Sequence, residues 1–160
     1  LYHKLGGLDD NFFAHMEEID FCWRAQLSGS EVWVFPSSVV YHVGGGTLPN
    51  NSPKKLYLNY RNNLLMLYKN LPQRRLRSVL FARKLSDGLS AVVYLLQGKR
   101  NFFLAVWRAH MDFYKMKEKV VRTEGADSVN LKGVFKGLIV LSFLLNRGKP
   151  RFIEIAPDVE

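Results

Sequence analysis

The stretch FFAHMEEIDFCWRA, Phe12 to Ala25, sets three carboxylates (Glu17, Glu18 and Asp20) among aromatic side chains, with Trp23 and Arg24 directly behind. On a helix Glu17 and Asp20, three residues apart, share a face, while Glu18 points about 100° away from Glu17. A carboxylate held against apolar rings loses solvation, which raises its pKa and suits it to act as a general base. The same acids in the first turns of a helix also stabilise its dipole. Spacing alone leaves both readings open. His42 closes the run SSVVYH and faces Gly44, Gly45 and Gly46. A histidine so placed can ligate a cation beside a phosphate group, which glycines let backbone N–H groups approach closely. The other reading is a satisfied, half-buried histidine next to a turn. The triple glycine is neither a Walker loop nor a GxGxxG fingerprint.

These residues need elements to position them. GGLDDNFF reads as a glycine-bearing turn into a first helix, capped by Asp10 or Asn11, running from about 12 to 28 and ending at Gly29. EVWVFP and SSVVYHV read as two short β segments parted by Pro36, and GGGTLPNNSP as a loop. The period then becomes helical. Leu56, Tyr60, Leu64, Leu67 and Leu71 form one stripe, stopped by Pro72. A second helix follows from RRLR to Gly98, a third covers Phe103 to Tyr114, RTEGADSVN breaks the pattern, and a fourth carries Val134 to Leu145. The expected fold is an α/β head with short strands followed by a mainly helical region, predominantly helical overall.

Composition bounds the rest. The chain has 160 residues, is 48% apolar and 13% aromatic, and carries a net charge of +9, which fits one modest packed domain. The charge is uneven: residues 1–50 hold two bases and six acids, and residues 51–160 hold 21 bases and eight acids. A basic, aromatic-rich body suits anionic lipid headgroups or nucleic acid. The lone Cys22 makes no internal disulfide and reads as a buried thiol in a reducing compartment. Leu1 is no initiator methionine and the first residues do not form a signal peptide, so the chain is expected to be a piece of something longer. The longest nearly uncharged apolar run, residues 137–145, is too short to span a bilayer.

The succession FFAHMEEIDFCWR, GSEVWVFPSSVVYHVGGGT and YLNYRNN, over roughly residues 5–71, resembles the second half of the catalytic domain of family-2 inverting glycosyltransferases, particularly the rhamnosyltransferase-like branch. The resemblance implies residues 1–71 as the acceptor-side part of an incomplete GT-A fold, and residues 72–160 as a basic amphipathic helical region. The family's Glu-Asp pair falls on Glu17 and Glu18, so its base, which deprotonates the acceptor hydroxyl, falls on Glu18. Here Glu stands for the commoner Asp. Asp20 and Arg24 match the acid and base that follow, a pairing suited to an i, i+4 ion pair that buttresses the helix. His42 matches a histidine that helps hold a divalent cation, Mg or Mn, on the nucleotide diphosphate, and Gly44, Gly45 and Gly46 would lie near that diphosphate. Arg61 and Asn62 match an Arg-Asn pair with a structural or phosphate-facing role. Trp23, or Phe12 and Phe13, would floor an acceptor sugar or pack in the core. No Asp-x-Asp motif occurs in the chain, so the donor-binding half is expected to be missing and the chain alone to be inactive.

The implied partners are a nucleotide-sugar donor and a glycan or lipid-linked acceptor, in the cytoplasm on the inner face of the membrane. RRLRSVLFARK and KRNFFLAVWRAHMDFYKMKEK mix bases with Phe, Trp and Leu, which suits either an interfacial helix or a bundle with a cationic outer face. The rival from another class is a non-catalytic helical module that binds membrane or a partner protein through that face. Nucleic acid is disfavoured because the bases follow no recognised binding motif. Apolar surface left where a missing half should pack implies a homo-oligomer.

Overall fold

The computed structural model describes residues 1–41, 49 and 51–129. Within the compact unit Leu1–Ser128, α1 spans Glu17–Leu27, α2 Pro53–Asn70, α3 Gln73–Leu96 and α4 Arg100–Met116. The local signals account for most of these limits. Ser52 accepts the Lys55 N–H through its hydroxyl and Pro53 occupies the first helical position, so α2 starts three residues before its first apolar stripe residue. Leu71 and Pro72 end it in extended backbone. α1 and α3 close in the same way. Ser30 N–H reaches Ala25 O and Gly29 N–H reaches Gln26 O, with Gly29 at φ 86°. Lys99 and Gly98 repeat the pattern on Tyr94 and Leu95, with Gly98 at φ 72°. These are Schellman closures, which need a left-handed residue that glycine adopts without strain.

α4 packs along α2 and against α3, and α1 leans on α2. The core lies between them: Phe12, Leu64, Leu65, Met66, Phe113 and Val120 are buried together, with Trp23, Leu80 and Met116 packed around them. Because Phe12 comes from the acidic head and Phe113 from α4, head and helices share one core. The boundary expected between residues 71 and 72 falls inside this unit. The polar break after α4 also has a structural task. Arg122 donates to the Tyr68 and Leu71 carbonyls at 2.7 and 2.6 Å, and the Thr123 N–H donates to Lys69 O, so this segment caps the end of α2.

Three expectations are corrected. α1 begins at Glu17, not Phe12, and neither Asp10 nor Asn11 caps it; Met16 stands at its N-cap with no side-chain cap. Residues 12–16 instead form a tight turn in which Phe13, His15 and Met16 have φ of 63°, 68° and 74°. The described residues are predominantly helical and no strand forms among them; residues 42 and 43 of the second expected β segment lie outside them. The β-rich segment 31–41 lies in irregular backbone with Trp33, Val34, Phe35, Val40 and Tyr41 strongly exposed. A strand is stable only when its ladder and one face are satisfied by a neighbour, and this segment pairs with none of the described residues. Finally, Cys22 is exposed, not buried: the face of α1 that turns inward carries Asp20, Ala25 and Leu27. The helix expected at Val134–Leu145 lies outside the described residues.

The left-handed turn is held from α2. Asn62, fully buried, directs its amide NH2 at the carbonyls of Phe12, Ala14 and His15, at 2.8, 2.7 and 2.8 Å. Arg61 adds donations to the Asn11 and Phe12 carbonyls at 3.0 and 3.1 Å, while its Nε serves the Asn62 oxygen. A left-handed non-glycine residue costs on the order of 1–3 kcal/mol and persists only when its surroundings over-determine it. Asn62→Ala orphans buried carbonyls and releases that turn. It should lower unfolding stability by about 1–3 kcal/mol or more in urea denaturation, with Asn62→Asp no rescue, because a carboxylate cannot donate.

Candidate functional site

The three carboxylates of α1 have three different fates. Asp20 is fully buried. Its Oδ2 accepts from Arg24 Nε at 2.7 Å and Lys69 Nζ at 3.0 Å, and its Oδ1 accepts from Asn70 Nδ2 at 2.8 Å. Each donor is itself committed elsewhere. Arg24 also donates to the Leu5 and Gly7 carbonyls at 2.6 and 2.7 Å. Lys69 is paired with Asp9 as well. Asn70 also donates to Met66 O and accepts from the Thr123 hydroxyl at 2.7 Å. A buried charge with this many fixed donors is a structural hub. It joins α1, α2, the first turn and the segment after α4, and no acceptor molecule can reach it.

Glu17 and Glu18 sit in the first turn of α1, where the unpaired N–H groups favour negative charge. Glu18 is exposed. Glu17 is half-buried, and its Oε2 is sealed from solvent without a hydrogen-bond partner among the described residues. His15 Nε2, two residues earlier in the left-handed turn, is in the same condition, as is Trp23 Nε1. Buried polar atoms left without a partner are costly. Exposed Glu18 and half-buried Glu17 follow directly on a strained turn that Arg61 and Asn62 clamp from behind. Those two residues face the backbone of the turn, which gives the Arg-Asn pair a positioning role. Trp23 packs its ring on the core. Phe12 is wholly buried beneath the Lys69 ammonium, 5.2 Å from its ring centroid, whereas Phe13 is exposed near Lys54.

A cavity of about 960 Å³ opens elsewhere on the unit, between the first turn and the segment after α4. Asp9, Asp10, Arg24, Lys69, Lys119 and Glu124 are among its lining residues, and neither Glu17 nor Glu18 is. Burial pushes the Asp9 carboxyl up, but the Lys69 ammonium and the Asn11 backbone and side chain outweigh it, and Asp9 titrates below its ordinary value of 3.8. Among the described residues no group of three or more His, Cys, Asp or Glu is placed to hold a metal ion. His42, Gly44, Gly45 and Gly46 lie outside the described residues. No helix among the described residues is long and apolar enough to cross a membrane. Lys69, Asn70, Asp9 and Thr123 were not singled out by the sequence. Lys69 and Asn70 lie about 50 residues from Asp20 and meet its carboxylate directly, and Asp9 and Thr123 join the network through them.

Comparisons with protein-family models, curated proteins and solved structures find no match to the chain.

Two measurements test the hub. Asp20→Ala leaves Arg24 and Lys69 buried without their counter-charge and should destabilise the unit by about 3–5 kcal/mol in chemical denaturation. Asp9 has its pKa lowered on folding, so its contribution is present above its ordinary value and disappears as pH falls through the lowered one. The melting temperature of the wild type should thus drop more steeply than that of Asp9→Asn as pH falls from about 5 to about 2.

Proposed function

We propose that this chain is the acceptor side of an inverting glycosyltransferase that moves a sugar from a nucleotide-sugar donor to a glycan or lipid-linked acceptor. The donor-binding half, on this reading, lies elsewhere in the polypeptide. The observation that carries it is the clamped turn. Immediately before Glu17 and Glu18 the turn is left-handed at Phe13, His15 and Met16, and Arg61 and Asn62 hold it through the carbonyls of Asn11, Phe12, Ala14 and His15. Strain of this kind is retained where a position must be held for chemistry. It fixes the carboxylates that the motif succession assigns to proton removal, and the buried Asp20–Arg24 pair braces the helix that bears them.

In that role Glu18 takes the proton of the acceptor hydroxyl as the oxygen attacks the anomeric carbon. The bond from that carbon to the donor phosphate breaks on the opposite face, and its electron pair leaves with the diphosphate. A divalent cation, when bound, neutralises the leaving diphosphate, with His42 as the candidate ligand in this chain. Glu18 is exposed, so it is open to an acceptor without rearrangement of α1.

The test is transfer of labelled sugar to a membrane-extract acceptor, with Mg²⁺ or Mn²⁺ present, by the polypeptide that carries both halves. Glu18→Gln should lower kcat by about 10²–10⁴-fold with the fold intact, since it removes the base and little else. His42→Ala should weaken the response to the cation. Loss of turnover in Glu17→Gln alone would move the base to Glu17. Wild-type turnover in both glutamine variants would remove the transferase reading.

A further inference from the structure

We propose that the outer face of α3 seats in the headgroup interface of an anionic lipid membrane. α3 carries apolar side chains on both sides: Leu76 and Ala91 are buried along with Asp87, and Leu80 packs against the core. Its inward side carries Asp87, 2% exposed, paired with Arg83 at 2.9 Å and with the His110 ring of α4 at 3.1 Å. Its outward side carries Phe81, Leu85, Leu89, Val92 and Leu96, which are 50–82% exposed. At about 100° per residue these five fall within roughly 80° of one another, a continuous stripe along the C-terminal two-thirds of the helix. Single exposed apolar residues are ordinary, but a contiguous stripe this long marks a surface that is covered in use. α4 adds exposed Trp107 and Met111.

Charge identifies what covers it. Between Leu71 and Met111 the sequence has eight bases and one acid. That acid is Asp87, which is buried and paired, so the exposed surface of this stretch carries no negative charge. Arg74 and Arg77 are exposed and continue the face of the stripe toward the N-terminus of α3, and Lys99 and Arg100 are exposed just beyond its C-terminus. An apolar stripe ended at both limits by exposed cations matches an interface of acyl chains beneath anionic headgroups. A helix of 24 residues is about 36 Å long and lies along such a surface; it does not cross it. The proposal is independent of the transferase reading, because it uses none of the residues around α1.

The experiment is co-sedimentation of the full chain with vesicles of phosphatidylcholine alone or of phosphatidylcholine with phosphatidylglycerol. Binding to the anionic vesicles is expected, with weakening as salt rises. Leu85→Glu/Leu89→Glu and, separately, Arg74→Glu/Arg77→Glu should each reduce it at least about tenfold, with circular dichroism unchanged, because the altered side chains are exposed. In a Cys22→Ser background, an environment-sensitive fluorophore on Leu89→Cys should shift its emission to the blue on the anionic vesicles. Absence of binding, equal capture by neutral vesicles, or wild-type binding by the Leu85→Glu/Leu89→Glu variant would overturn the proposal. So would a concentration-dependent dimer in sedimentation velocity that this variant abolishes, which would assign the face to a second copy of the chain.

Discussion

The Asp20 carboxylate is the point on which the rest of the unit depends. It is fully buried, and an isolated ion in that position would be prohibitively costly. It is stable because Arg24, Lys69 and Asn70 all donate to it within 3.0 Å, and because those donors are held by the Leu5 and Gly7 carbonyls, by Asp9 and by Thr123. Few of these contacts are local. The carboxylate therefore ties the first turn, α1, the end of α2 and the segment after α4 into one network. A buried ion network is a weak source of net stability relative to an apolar core but a strong penalty against wrong arrangements. Here the arrangement it favours is the one that fixes the direction of α1.

A second clamp, built from neighbours in sequence on α2, acts on the turn that leads into the same helix. Arg61 and Asn62 hold the carbonyls of residues 11–15, and the turn they hold is left-handed at three non-glycine positions. α1 thus has its N-terminus set by Asn62 and its body set by the Asp20 network. Glu17 and Glu18, which lie between these two fixtures, have little freedom of backbone position. Neither carboxylate contributes to the network.

The helical bundle shows a different economy. α3 buries Asp87 along with Leu76 and Ala91 and carries a second apolar stripe outward, whereas α4 buries apolar side chains and α2 buries Asn62, Lys69 and Asn70 among its leucines. Its periodicity in the sequence is clear, but periodicity reports that a helix has an apolar face and not which way that face points. Asp87 faces inward with Leu76 and Ala91, and among the described residues Arg83 and the His110 ring of α4 stand within 3.1 Å of its carboxylate. Similarly, the β-rich segment 31–41 has strong strand composition, yet strand formation depends on a partner ladder that the described residues do not supply.

By itself the sequence determined what local physics controls: the helix stripes, the stops at Gly29, Pro72 and Gly98, the i, i+4 pairing of Asp20 with Arg24, and the placing of acids in the early turns of α1. These depend on residues within one or two turns of each other, so their signal survives without knowledge of the fold. Tertiary structure alone decided that α1 starts at Glu17, that Cys22 faces solvent, that segment 31–41 forms no strand, and that Lys69 and Asn70 complete the Asp20 network. Each of these depends on groups about 50 residues apart being brought within hydrogen-bonding distance, or on the lack of such a group. Asn62 is the clearest instance. Nothing near it in the chain shows that its amide will meet three carbonyls of residues 12–15, and that meeting holds the strained left-handed turn before the carboxylates.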